Sequence, residues 1–311
     1  MFGASLSFAA MRHLLTLENM PRAEIERLLD RAEEFRARGA NRELLSGRTM
    51  LNLFFENSTR TRTSFEIAAR RLGADVVNFD LSRSSTAKGE SLLDTLHTLE
   101  AMKLDALIVR HSENRMPDWL AEHANSMVSV INAGDGSRAH PTQGLLDALT
   151  IRQRRSDFEN LAIVICGDIR HSRVARSDVH AFTALGARDI RLCAPRALLP
   201  EDANEFPGCT LGENFDEALT DADVVIMLRI QKERMAAALL PADSDYFAQY
   251  GLDARRLSLP KPDAQVLHPG PINRGVEIAG EIADGVQSRI LDQVANGVPV
   301  RMAVLVELLA R

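Results

Sequence analysis

The segment "NSTRTR", residues 57–62, sets Ser58, Thr59 and Thr61 beside Arg60 and Arg62. It follows a run that reads as a strand and precedes one that reads as a helix. A helix start offers unpaired backbone N–H groups and partial positive charge, favouring an anion by about 0.3–1 kcal/mol. Hydroxyls add donors, and an arginine can grip two oxygens of a phosphate. The plainer alternative is a Ser/Thr N-cap with solvated arginines. So dense a set of donors favours the anion. No GxxxxGK[ST] pattern is present, so a small phosphate fits better than a nucleoside triphosphate.

Other polar residues sit at comparable places. Arg110 closes the apolar run "ALIVR" and either caps a sheet edge in solvent or points at a ligand. In "HPTQ", His140 stands at a helix start and Gln143 in its first turn. An imidazole there can donate to a carbonyl oxygen and the amide can bind an NH2 group, or the histidine simply caps. "CGDIRHSRVARS" gathers Arg170, His171, Arg173 and Arg176 at another helix start, and "LRIQKER" holds Arg229, Gln231, Lys232 and Arg234 after a strand. Both clusters suit an acidic substrate, and both read equally as solvated surface. Lys88, in the polar loop "SSTAKGE", reads on its own as a surface lysine. Gly167-Asp168 lacks the remainder of GxGxxG, which leaves a dinucleotide reading weak.

Position matters because of the elements between these motifs. Short β-rich runs alternate with helical periodicity, which predicts an α/β fold of two doubly wound domains, each a parallel sheet flanked by helices. Strands are expected at 49–55, 74–80, 105–111, 126–133, 161–169, 189–195, 222–230 and 264–271, and helices at 21–38, 60–72, 90–102, near 117, at 140–155, and from about 170 to 185. A last helical stretch, 287–311, should break near Gly297 and Pro299. The pattern restarts after residue 150. We therefore expect one domain of 1–150 plus the closing helix 290–311, and a second of 151–289. Ligands of open α/β sheets bind outside the carboxyl ends of the strands. Ser58–Thr61, Arg110, His140, Arg229 and His268 all fall at such ends and can meet in one cleft between the domains.

Bulk properties narrow the class. A chain of 311 residues with 45% hydrophobic content can bury a sizeable core. The net charge of -6, one Trp and two Tyr argue against a nucleic-acid partner. No apolar run is long enough for a membrane span, and the start has no basic n-region of a secretory signal. Three cysteines match no metal spacing and suit free thiols in a cytoplasmic protein. No HExxH or His/Cys cluster points to zinc.

Taken together, "FFENSTRTRTSFE", "VRH", "HPTQGLLD", "GDIRHSRVARS", "RIQKER" and "HPGPINRGVEI" resemble, in order and over nearly the whole chain, the catalytic chains of the aspartate branch of the carbamoyltransferase family. The resemblance implies transfer of a carbamoyl group from carbamoyl phosphate to the α-amine of L-aspartate, an early step of de novo pyrimidine synthesis. It implies that Ser58, Thr59, Arg60 and Thr61 hold the phosphate, that Arg110 and His140 lie near the carbonyl oxygen, and that Gln143 meets the amino group together with the backbone carbonyls of Gly270 and Pro271. Arg173, Arg229 and Gln231 correspond to aspartate binders. Ser84 and Lys88 correspond to a loop that enters a neighbouring subunit's site, with Lys88 reaching aspartate, which implies a homotrimer. Two departures stand out: many relatives carry Leu in place of Gly270, and some carry Thr in place of Val174.

On this reading the amine attacks the carbamoyl carbon. Thr61, Arg110 and His140 stabilise the oxyanion, and the departing phosphate takes the proton. No metal or organic cofactor is needed. Two alternatives fit the motifs less well. Ornithine carbamoyltransferases usually carry "HCLP", where this chain has Pro269. A non-catalytic homologue assembling with dihydroorotase should have lost the phosphate and carbonyl-oxygen residues, which this chain keeps. A regulatory chain or dihydroorotase as a partner remains open at this level.

Overall fold

The computed structural model describes residues 11–79, 91–230 and 243–310. Ser84, Lys88, Gln231, Lys232 and Arg234 lie outside them. The first sheet is wholly parallel, in the order β2-β1-β3-β4. Its strands are β1 (Thr49–Phe54), β2 (Asp75–Phe79), β3 (Ala106–His111) and β4 (Ser129–Asp135). Helices α1 (Arg22–Arg38), α2 (Thr59–Arg71), α3 (Leu92–Ala101), α4 (Met116–His123) and α5 (Pro141–Arg152) accompany it. Register sets Phe54 opposite Arg110, so the motif after β1 and the arginine ending β3 share one sheet edge. A parallel sheet places every strand's carboxyl end on that same side.

A second parallel sheet follows, in the order β7-β6-β5-β8-β9. It contains β5 (Ala162–Cys166), β6 (Asp189–Cys193), β7 (Thr210–Gly212), β8 (Val224–Met227) and β9 (Gln265–Leu267). The intervening helices are α6 (Arg173–Ala184), α7 (Phe215–Leu219), α8 (Asp243–Tyr250) and α9 (Gly280–Ala283), and α10 (Ile290–Leu309) closes the chain. The fold is thus two domains, each a parallel sheet flanked by helices.

The strand at 126–133 begins three residues later than expected. Met127 is 80% exposed, and the Val128 N–H turns back to Asn125 O. All four strands expected in the second domain end early. After β5 the chain leaves the sheet at Gly167, whose φ of 135° suits only glycine. The sequence pattern missed β7, α7, α8 and α9, all short or weakly periodic.

The expected break near Gly297 and Pro299 does not occur: α10 runs unbroken through both. Pro299 is buried, and α10 packs along α1, α2 and α5, so tertiary contacts override local propensity. Gly297 serves space instead. A Cβ there would lie 2.6 Å from Nη1 of Arg301, which donates to Gly297 O at 2.9 Å. The Arg301 guanidinium lies 5.0 Å from the ring centre of fully buried Phe65.

Helix α5 is buried along almost its entire length and packs on α1, α6 and α10. A helix buried on every side belongs in a protein interior. This one lies where the two domains meet, with its N-terminus facing the sheet edges. Because Phe65 packs α2 beneath Arg301, Phe65→Ala should cost about 3–5 kcal/mol in urea unfolding. A loss below about 1 kcal/mol would mean that this contact does not hold α2 and α10 together.

Candidate active site

A cleft of about 980 Å³ opens where the strand ends of both domains face each other. Ser58, Thr59, Arg60 and Thr61 line one part of it, at the N-terminus of α2. The β-region backbone of Ser58 begins that helix, and its side chain makes no capping bond to it. Arg110 enters from the end of β3, and His140 and Gln143 from the start of α5. The second domain contributes Arg173 and Val174 from α6, Arg229 after β8, and Gly270 and Pro271 after β9. Every residue within the described segments that the family resemblance assigned to substrate binding therefore lines one cavity.

The arginine cluster around α6 divides. Arg173 faces the cleft, whereas Arg170 pairs with Glu201, Arg176 with Glu205, and His171 with Asp168. The latter three serve contacts within the second domain, not the cleft.

Five arginines line the cleft among the described residues: Arg60, Arg110, Arg173, Arg229 and Arg301. Glu56 is the one carboxylate among the described lining residues. Glu56 Oε2 accepts from Arg173 Nη2 at 2.8 Å and lies 3.5 Å from Arg110 Nε, joining the two domains. Glu56 falls inside the motif "FFENSTRTRTSFE", yet residue type alone gives it no role there. Its signal was adjacency to the donor-rich motif, where an acid is otherwise unwelcome. Arg301 was missed too, although a lone cation inside "VPVRMAVLVELL" is the kind of residue that is buried only with partners.

Burial, reinforced by this positive field, sets the state of both histidines. His140 is buried, and its pKa is held well below the imidazole range by burial first, then by Arg110, Arg173 and Arg301. Its backbone N–H donates to Ser177 Oγ of α6 at 2.8 Å. His268 is pushed down to about 3 by burial, then by Arg60 and Arg229. It accepts the Gly270 N–H on Nδ1 at 2.9 Å, which places its own proton on Nε2. Arg60 shifts downward through burial and the nearby Arg229. Gly270 approaches it closely: at a φ of 66°, a Cβ would meet the Arg60 guanidinium at 3.0–3.1 Å. No cluster of three or more His, Cys, Asp or Glu among the described residues could hold a metal ion.

A cleft of this kind, lined with arginines and donors from two facing sheets and carrying one carboxylate, is built to hold small anions side by side. Family comparison agrees. Residues 12–153 match the carbamoyl-P binding domain of aspartate/ornithine carbamoyltransferase, and residues 159–308 match its Asp/Orn binding domain. The chain belongs to the aspartate/ornithine carbamoyltransferase family. It is 57% identical over 304 residues to the aspartate carbamoyltransferase catalytic subunit of Xanthomonas campestris pv. campestris, covering 96% of both chains. Among solved structures, it resembles aspartate transcarbamoylase from Trypanosoma cruzi in complex with carbamoyl phosphate, with 31% identity, a TM-score of 0.85 and 96% of each chain covered. It also resembles ornithine carbamoyltransferase from Thermus thermophilus, with 27% identity and a TM-score of 0.86, covering 97% of this chain and all of that one.

Neutral histidines in the native state carry a pH signature. In the unfolded chain an imidazole protonates below about pH 6.5. Native His268 stays neutral to about 3, so the unfolded state binds more protons and stability falls as pH drops from about 6.5. Between pH 6.5 and 5 this one group should remove about 2 kcal/mol. Asp147, raised to about 6, acts in the opposite sense, because the native state takes up its proton first. Urea unfolding from pH 7.5 to 5 should therefore show a shallower acid limb for His268→Gln than for the parent. Equal slopes would mean that His268 titrates normally.

Proposed function

We infer that this chain transfers the carbamoyl group of carbamoyl phosphate to the α-amine of L-aspartate, releasing N-carbamoyl-L-aspartate and phosphate. The observation that carries this is the convergence of two arginine-bearing rims on one cleft. Backbone likeness does not separate the aspartate and ornithine branches, since both give similar TM-scores. Side chains and identity do. Arg173 and Arg229 on the second rim suit a dicarboxylate, whereas the cationic chain of ornithine would meet repulsion there.

In this reading the first domain, with α10 packed on it, holds carbamoyl phosphate, and the second domain holds aspartate. The α2 N-terminus with Ser58, Thr59, Arg60 and Thr61 binds the phosphate. Arg110, Thr61 and His140 face the carbonyl oxygen, where negative charge grows as the amine nitrogen bonds to carbon. A neutral imidazole can donate there but cannot serve as a cationic acid, so His140 acts as a hydrogen-bond donor. The bond from carbon to the phosphate oxygen then breaks, and the departing phosphate takes the amine's proton. Holding both anions in contact supplies the other large contribution. Gln231 and Lys88 complete aspartate binding in this scheme.

The scheme extends to assembly. We place the loop bearing Ser84 and Lys88 in the cleft of a neighbouring subunit of a homotrimer. Support comes from β2, an edge strand that leads into this loop and leaves Val77 46% exposed, so a neighbour has an open edge to cover. Three free cysteines, Cys166, Cys193 and Cys209, support a reducing, cytoplasmic setting, and the reaction places the chain in pyrimidine synthesis. No helix among the described residues is long and apolar enough to cross a membrane.

The deciding assay supplies carbamoyl phosphate with L-aspartate or L-ornithine in parallel. Carbamoylated product is expected with aspartate alone; product from ornithine, or from neither in folded protein, overturns the reading. His140→Ala should lower kcat about 10²–10³-fold, as for loss of one oxyanion donor. Mixing inactive Lys88→Ala and Arg60→Ala chains should restore activity in the hybrids, and failure to do so would count against a shared site.

A further inference from the structure

Behind the cleft lies a buried polar web that the reaction scheme has not used. Asp147 is fully buried on α5, one turn beyond Gln143. Gln143 Nε2 donates to its two oxygens at 3.0 and 3.1 Å. Gln293 of α10 donates to Asp147 Oδ1 at 2.6 Å and accepts the His268 N–H on its own Oε1 at 2.8 Å. His268 in turn accepts the Gly270 N–H. One carboxylate thus stands at the head of two chains of bonds, the first ending at Gln143 and the second at Gly270.

We propose that Asp147 is the positioning residue for the carbamoyl amino group: it fixes the amide of Gln143 and, through Gln293 and His268, the Gly270–Pro271 turn. This rests on the reading of the cleft given above. The argument is one of donors and acceptors. Only an NH2 can donate to a carboxylate, so both glutamines must turn their nitrogens toward Asp147. Gln143 then presents its carbonyl oxygen to the cleft, the atom an incoming amino group requires. Gln293 presents its oxygen to the backbone that precedes Gly270. A reversed amide would offer a donor to a donor and reject the substrate.

A second carboxyl completes the hub. Asp178 of α6 is buried against Asp147, and neither of its oxygens meets a donor among the described residues. Two adjoining carboxylates in a dry site do not both ionise. Burial and then Asp147 push Asp178 well above the carboxylate range, so Asp178 keeps its proton and donates it in a hydrogen bond to Asp147. Arg301, whose guanidinium attracts Asp147, favours the ionised form of the latter. The hub therefore carries one negative charge and joins α5, α6, α10 and the β9 turn.

The test uses two stable phosphonates that differ only in the group of interest. Phosphonoacetamide carries the NH2, and acetonylphosphonate carries a methyl in its place. Calorimetric titration of the parent protein should favour the amide about tenfold. In Asp147→Asn, which keeps the volume but faces one glutamine with a donor, that preference should fall to about threefold or less, while acetonylphosphonate affinity changes less than about twofold. Asp178→Asn, which supplies an NH2 in place of the carboxyl proton, should keep the preference. Should Asp147→Asn not fold, Gln293→Leu carries the same test, because it cuts the chain to Gly270 alone. A preference retained in these variants, or equal weakening of both ligands, overturns the positioning role. A parent protein with no preference would remove the amino-group pocket itself, and this proposal with it, while leaving phosphate binding to be judged from the affinity of either compound.

Discussion

Mutual repulsion among the arginines of the cleft is the constraint around which the site is arranged. Like charges brought together in a partly dry space raise one another's energy, and the protein's net negative charge is too distant to relieve them. Three responses are visible. Glu56 bridges Arg110 and Arg173 across the domain junction. His140 and His268, which would otherwise add charge, are held neutral. Arg60 is held below the usual arginine range by burial and then by the nearby Arg229. The remaining positive excess is what two anionic substrates would offset, so the energetic cost of building the site becomes affinity and orientation for the ligands.

Holding those cations in place requires rigid supports, and helix α5 is central among them. Its burial on all sides makes it a fixed reference between the two sheets. From its N-terminus His140 and Gln143 reach the cleft, and one turn further Asp147 ties it to α10. Ser177 accepts the His140 N–H from α6, on the opposite domain. The polar bonds at this junction are few, buried and mutually dependent, so they fix geometry more than they add net stability. Arg301 belongs to the same web: it rests on Phe65 of α2 and crosses the space that Gly297 leaves open.

The local sequence carried much of this. Strand-like runs followed by Ser/Thr, Arg or His at their ends were sufficient to place Ser58–Thr61, Arg110, His140 and Arg229 at carboxyl edges, because in a parallel sheet the edge follows from chain direction alone. The residues that escaped notice belong to partnerships over long separations. Asp147, Gln293 and Asp178 read individually as ordinary polar residues on helices, and nothing in spacing links positions 147 and 293. Arg170, Arg176 and His171 erred in the other direction: they looked like the neighbours of Arg173 in function, yet each found an acid within its own domain.

By itself, then, the sequence determined the alternation of strands and helices, the chemistry available at each strand end, and the family to which those motifs belong. These depend on side-chain type and short-range periodicity. Tertiary structure alone decided which cations share the cleft, which histidines stay neutral, and which way the Gln143 amide faces. It also kept α10 continuous through Gly297 and Pro299, where local propensity favours a break. Each of these depends on burial and on how separate elements pack, with partners as far apart in sequence as Asp147 and Gln293, and neither quantity is written in any local stretch of chain.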